Sequence, residues 1–199
     1  MRPALRAAAF LTVAFCAFVS ADCRDANSPV IPESPTPGTL THFTGQVDGS
    51  DAFVAFVVDG RRVQAYVSDG RTIAAWFTRR ESRDGADYLA GDASGVTASD
   101  NASRLRLQEV SSAAITGEYL APGSTPLPFR ATPVADSRAG LYRSEEKIDN
   151  EDWVGGWILA ADGQVRGALV RNRLLHGQSA LRPAAVRLTG LLAPVTYRN

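Results

Sequence analysis

The chain has little of what metal, disulfide or nucleophilic chemistry requires. It contains two cysteines and two histidines in 199 residues. There is no His-Glu-x-x-His motif, no closely spaced cysteine pair and no Gly-x-Ser-x-Gly motif. The usual zinc sites and the nucleophile turn of an α/β-hydrolase are therefore not predicted.

The chain also lacks an excess of either charge. Its 21 basic and 21 acidic residues give a formal net charge of zero, and Lys147 is the only lysine. Nucleic-acid binding is not expected, because such proteins carry a basic excess. The preference for Arg, together with plentiful Ala and Gly, is typical of a GC-rich genome.

The first residues are typical of an export signal. "MRPALR" is basic, an apolar run covers residues 7–19, and Val19 and Ala21 are the small residues expected before a cleavage site. We expect a signal peptide over residues 1–21. The run is shorter than the roughly 20 residues that a membrane-spanning helix needs.

Cys23 raises the alternative of a lipid anchor. Lipoprotein signals have an apolar residue three places before the cysteine and a small residue directly before it, and here Ser20 and Asp22 occupy these positions. We therefore expect soluble export to the periplasm, cell surface or medium, with membrane attachment through Cys23 as the alternative. Cys16 leaves with the signal peptide, so the mature chain cannot form an internal disulfide.

The remainder divides into a tether and a domain. Residues 22–41 contain four prolines among Ser, Thr and Gly, which predicts a disordered spacer. Residues 42–199 show short apolar or alternating runs separated by turn residues, which predicts a mostly β domain, an antiparallel barrel or sandwich of about 8–12 short strands. The stretch 104–108, "RLRLQ", predicts Leu105 and Leu107 inward and the arginines outward.

Residues 53–58 are apolar at every position, which predicts a strand covered on both faces or one at the heart of a barrel. Asp-Gly pairs at 59–60, 69–70, 84–85 and 162–163 lie between apolar runs and predict tight turns. Residues 47–67 and 148–170 share this pattern. The similarity would fit two similar halves of the domain, or reflect only that β-hairpins look alike.

Three groups of polar or charged residues are candidate sites. His176 with Ser179 is a better candidate for a catalytic pair than His42, which lies at the tether boundary, but strand-turn histidines are mostly solvated. The acidic run 145–152 offers oxygen ligands for calcium without the spacing of an EF-hand, and reads as a solvated loop. Six arginines and no acidic residue follow Asp162, and they either form a basic patch or pair with that acidic run. These six are Arg166, Arg171, Arg173, Arg182, Arg187 and Arg198.

Trp153 and Trp157 lie four residues apart with Gly155 between them, on one face of a predicted strand. An exposed face would make a platform on which a sugar ring stacks. A buried face would make them core residues, with Gly155 allowing one ring to lie flat across the sheet.

The stretches "GLYRSEEKIDNEDWVGGWILAADGQVRGALV" (140–170) and "FTGQVDGSDAFVAFVVDGRRVQAYVSDG" (43–70) resemble a loose group of exported proteins from GC-rich bacteria that has no characterised member. The resemblance implies export and a β-domain, and it implies no chemistry. The chain departs from the group at Ser68, where a cysteine is expected.

We expect a binding or interaction module of the cell envelope or periplasm rather than an enzyme. Its partner would be an envelope glycan, a lipid headgroup or a protein. The alternative is a carboxylate-dependent hydrolase of envelope polymers. We assign no catalytic, cofactor-binding or metal-ligating residue.

Overall fold

The computed structural model describes residues 40–60, 62–79, 87–91, 103–136, 138–171, 174–178 and 180–191. None of these residues belongs to a helix that is long and apolar enough to cross a membrane. The predicted signal peptide and almost all of the predicted tether lie outside these ranges, as do Cys23, Asp84-Gly85, Arg173, Ser179 and Arg198.

The described residues form thirteen β-strands, which confirms the predicted mostly β fold class. The strands are β1 (Leu40–Val47), β2 (Phe53–Asp59), β3 (Arg62–Ser68), β4 (Ala74–Arg79), β5 (Asp87–Gly91), β6 (Arg104–Val110), β7 (Ile115–Leu120), β8 (Leu127–Pro133), β9 (Gly140–Ile148), β10 (Glu151–Leu159), β11 (Val165–Arg171), β12 (Leu174–Gln178) and β13 (Val186–Arg187).

Strands β1 to β8 form a closed antiparallel barrel in sequence order, and the pairing of β1 with β8 completes it. Alternate residues of each strand point inward, so the interior is filled by apolar side chains. In β6, Leu105 is fully buried and Leu107 packs against the core, whereas Arg104 and Arg106 are exposed, as the alternation predicts. The fully buried interior residues include Phe43, Val54, Phe56, Phe77, Leu105 and Ile115.

Strands β9 to β13 form a second antiparallel sheet in the order β12-β11-β10-β9-β13. Its inner face packs on the outside of the barrel, where Leu141 and Ile158 join the outward-facing residues of β2. Because β12 and β13 are opposite edges, the chain between them has to cross one face of the sheet. Arg182 pairs with Glu146 on the face away from the barrel, so the crossing occurs there.

Strand β2 is covered on both faces, as its continuous apolar sequence predicts. Val54, Phe56 and Val58 point into the barrel. Phe53, Ala55 and Val57 point outward and are covered by the second sheet. A strand in this position has no solvent-facing side, so it needs apolar residues at both parities.

The Asp-Gly pairs at 59–60, 69–70 and 162–163, which the structure describes, lie at turns. Gly60, Gly70 and Gly163 have φ values of 60°, 75° and 85°, a region that glycine enters without strain. The residues from Phe53 onwards therefore form two successive hairpins, β2–β3 and β3–β4. Asp69 stabilises the second turn by accepting hydrogen bonds from three backbone N–H groups, at residues 71, 72 and 73.

The expectation that residues 145–152 form a solvated loop is wrong. They are the paired ends of β9 and β10, joined by a turn at Asp149 and Asn150, whose φ values are 52° and 63°. Two adjacent residues with positive φ are typical of a tight hairpin turn, and Asp and Asn tolerate that conformation better than most residues. The acidic side chains therefore alternate between the two faces of a sheet.

The two stretches with similar sequence both form hairpins, β2–β3 and β10–β11. They belong to different sheets, one closed with eight strands and the other open with five. His176, interpreted from the sequence as a strand-turn histidine, lies within strand β12.

Candidate functional site

Trp157 is a core residue. Its side chain is fully buried, and its indole lies across Gly155 and Gly167, where a Cβ atom would overlap the ring. Gly156, the next residue of β10 after Gly155, faces the barrel, and a Cβ atom there would be 2.6 Å from Tyr66 Cζ. The glycines therefore let the sheet hold one large ring on its outer side and two more, Tyr66 and Trp76, on its inner side.

Trp153 lies on the same outer face, four residues earlier along β10, and is only partly buried. The guanidinium of Arg171 lies over its ring, 5.4 Å from the centroid. The imidazole of His176 meets it edge-on, with the two ring centroids 5.1 Å apart. The partly exposed indole is thus held in place by a cation on β11 and an aromatic ring on β12.

Two ion pairs flank Trp153. On one side Glu151 Oε2 is 2.6 Å from Arg171 Nη1. On the other side Glu146, the register partner of Trp153, binds Arg182 through Nη2 at 2.6 Å and Nε at 3.1 Å. We call this set the Trp153 surface; it consists of Glu146, Glu151, Trp153, Arg171, His176 and Arg182.

The Glu146–Arg182 pair is the more enclosed of the two, with the Glu146 side chain only 12% exposed. The hydrogen bond from Arg182 is the main reason that the pKa of Glu146 is lowered; partial burial opposes it, and the Ser144 hydroxyl adds to it. The same contact raises the pKa of Arg182. Both groups stay charged across the neutral range, so the pair fixes the crossing chain on the outer face of the sheet.

The arginines that follow Asp162 do not form a free basic patch among the described residues. Arg171 and Arg182 pair with glutamates of the acidic run, which is the second of the two readings of the sequence. The guanidinium of Arg166 lies 4.8 Å from the ring centroid of Phe53. Arg187 donates from Nε to the carbonyl of Ala139.

The acidic residues do not converge as a calcium site would require. Glu145 pairs with Arg143, whereas Glu146 and Glu151 belong to the two pairs described above. In the ranges that the structure describes, no group of three or more His, Cys, Asp or Glu side chains could hold a metal ion.

The expectation that His42 is poorly positioned at a tether boundary is wrong. It lies within β1, is 3% exposed, and its ring is hydrogen bonded at both nitrogens to backbone groups of other strands or segments. His176 is exposed and contacts Trp153. The contacts given for His42 and His176 bring no Ser or Cys side chain beside either imidazole. Ser179 lies outside the described residues.

Two clefts lie where the second sheet meets its neighbours. One, of about 380 Å³, separates the β3–β4 turn from β11 and β12 and is lined by Asp69, Arg71, Arg166 and Gln178. The other, of about 450 Å³, lies between β9 and residues 184–191 and is lined by Arg143, Val186, Arg187 and Leu188. Val186 is 66% exposed and is the one large apolar side chain on the described surface that is this open.

Sequence reasoning singled out Trp153 and, separately, the acidic run 145–152 that contains Glu146 and Glu151, but it did not place these glutamates beside Trp153. The signal that could have found them is the Asp-Asn pair at 149–150, which predicts a tight turn. A hairpin around that turn places Glu146 opposite Trp153.

Comparison of the chain with protein-family models, with curated proteins and with solved structures finds no match.

Proposed function

We propose that this chain is an exported, non-enzymatic binding domain that holds a neutral glycan of the cell envelope on the Trp153 surface. The observation that carries the proposal is a partly exposed indole between two Glu–Arg ion pairs. Export is the expectation from residues 1–21.

The chemistry of the surface favours a sugar. An aromatic ring offers an apolar plane for the C–H face of a pyranose, and because Arg171 lies over one face of Trp153 the sugar would stack on the other. Carboxylate and guanidinium groups beside it are planar acceptors and donors that suit neighbouring hydroxyl groups. A binding site usually combines apolar area with a few polar groups that fix orientation, and the Trp153 surface has both.

The charge balance favours a neutral ligand over a lipid headgroup. Each of the two arginines on the surface already has a glutamate partner, so an anion would have to displace a carboxylate. A headgroup or phosphate site would instead present arginines without acidic partners.

The hydrolase alternative has less support. A glycosidase needs one carboxyl group with a raised pKa to act as the acid. Asp69, Asp136, Glu146 and Asp162 each have a lowered pKa, which is the opposite of what such an acid needs.

The test is a titration of the purified chain with neutral envelope oligosaccharides, followed by tryptophan fluorescence and calorimetry. Trp76 and Trp157 are buried, so a ligand-induced change in emission is expected to come from Trp153. Trp153→Ala should weaken binding at least tenfold, about 1.4 kcal/mol. Trp153→Phe should retain part of the affinity while losing the optical signal.

Val186→Ser is the matched control, because Val186 is exposed on β13, at the edge of the sheet beyond β9. It should bind as the unmodified chain does. Binding of no oligosaccharide, equal binding by Trp153→Ala, or binding only to vesicles of anionic lipid would overturn the proposal.

A further inference from the structure

His42 connects the barrel to the second sheet. It lies in β1, and its Nε2 is 2.9 Å from the carbonyl oxygen of Leu188, which follows β13. Its Nδ1 accepts a hydrogen bond of 3.1 Å from the N–H of Leu141 in β9. One buried ring therefore holds two separate segments of the second sheet.

This geometry requires a neutral ring. Nδ1 accepts from an N–H group, so it carries no proton, and Nε2 must then be the donor to the Leu188 carbonyl. A second proton would have to sit on Nδ1, where it would face the N–H of Leu141. The two hydrogen bonds cannot both persist, because a protonated Nδ1 no longer accepts from Leu141.

The neighbours leave the ring no room to turn away. Gly140 has a φ of 134°, and a Cβ atom at that position would be 2.5 Å from Nδ1. The register partner of His42 on β2 is Val57, which is fully buried. The added proton on Nδ1 therefore faces an N–H group in a ring that is only 3% exposed, and it is satisfied only if the ring leaves its site.

The charged surroundings act in the same direction. Arg187 of β13 is the charged group that acts on the ring, and it disfavours a positive charge there. Arg187 also contributes to lowering the pKa of Asp136, ahead of β9. The neighbours on β2 and β9, Val57 and Leu141, carry no charge.

We propose that His42 is a proton-operated clasp between the barrel and the second sheet. When the ring takes up a proton, it releases the carbonyl of Leu188 and the N–H of Leu141, and the segment 186–191 detaches from the barrel. Leu188 also lines the cleft of about 450 Å³ beside β9, so the same event reshapes that cleft.

The acid–base properties of His42 support this. Burial is the main cause that lowers its pKa to about 4 from the ordinary value of 6.5, and Arg187 adds to the effect. The hydrogen bond to Leu188 opposes it. The clasp is therefore closed at neutral pH and opens in acid.

The experiment is amide hydrogen exchange of the full chain between pH 7 and pH 4, expressed as protection factors so that the intrinsic pH dependence is removed. Leu141 N donates to His42 Nδ1 in the clasped state. Its protection should fall at least tenfold towards pH 4, while that of barrel amides such as Phe56 changes less. In His42→Gln, which cannot take up a proton there, the protection of Leu141 should not depend on pH.

His176→Gln is the matched control, because it removes the other histidine and should leave the acid response intact. If His42→Gln does not fold, the ring of His42 is titrated directly by NMR in the His176→Gln chain. A midpoint near pH 6.5, an equal loss of protection in barrel and clasp, or an unchanged acid response in His42→Gln would overturn the proposal.

Discussion

The indole of Trp157 lies directly on the backbone of Gly155, with no space between them for a methyl group. A Cβ atom there would overlap Cη2 and Cζ3 of the ring and approach Ser144 Oγ to 2.8 Å. The flat ring and the bare backbone are therefore one packed unit within β10, the central strand of the second sheet.

Gly155→Ala should destabilise the fold by about 1–3 kcal/mol, because the core must shift to make room for the added methyl group. The measurement is urea unfolding followed by circular dichroism. Gly190→Ala is the control, since a Cβ atom there has no neighbour within 4 Å, and it should change stability by less than about 0.5 kcal/mol. Equal stability of the two variants would mean that Trp157 does not depend on Gly155.

The two tryptophans of β10 should differ sharply when truncated. Trp157→Ala removes a fully buried ring and should cost about 3–5 kcal/mol. Trp153→Ala removes a partly exposed ring and should cost roughly 1 kcal/mol. Comparable losses in urea unfolding would place Trp153 in the core and would contradict its assignment to a binding surface.

The Glu146–Arg182 pair should contribute measurably to stability. Its hydrogen bonds and the enclosure of Glu146 predict a larger coupling energy than that of an exposed pair, measured in a double-mutant cycle of Glu146→Gln and Arg182→Gln. The pair between Asp51 and Arg71 is the comparison; its side chains are 66% and 72% exposed. That exposed pair should give less than about 0.5 kcal/mol, and a larger coupling there would contradict the role of burial.

Stability should fall as the pH drops below neutral. The pKa of His42 is about 4 in the folded chain, so between pH 6.5 and pH 4 the unfolded chain binds more protons than the folded one. The free energy of unfolding therefore increases with pH across this window and levels off above it. The full effect is about 3 kcal/mol, at about 1.4 kcal/mol for each unit of pKa.

The carboxyl groups with lowered pKa, such as Asp69 and Glu146, add a loss in the same direction at lower pH. The window from pH 6.5 to pH 5 thus isolates His42. Chemical unfolding at several pH values, with His42→Gln and His176→Gln compared, measures the effect. A flat profile in the unmodified chain would contradict the buried, neutral state of His42.

Local sequence determined the strands and most of the turns. Alternation placed Leu105 inside the barrel, the apolar run 53–58 predicted a strand covered on both faces, and Asp-Gly pairs located the hairpins. These features depend on the alternation of side chains along a strand and on the positive φ values that glycine can adopt. Both are local properties of the chain, so the sequence alone predicts them. The Asp149-Asn150 turn carried the same kind of signal, although the acidic side chains around it suggested a loop.

Only the tertiary structure decided which residues meet. His42 and Leu188 are 146 positions apart, and Glu146 and Arg182 are 36 apart, so no local pattern pairs them. Trp153 and Trp157 share a strand and a face, yet one is partly exposed and the other is buried. Which of two such rings is covered depends on the strands and crossing chain around them. The sequence by itself determined a β-domain with defined turns, whereas long-range packing decided where its surfaces, its clasp and its candidate site lie.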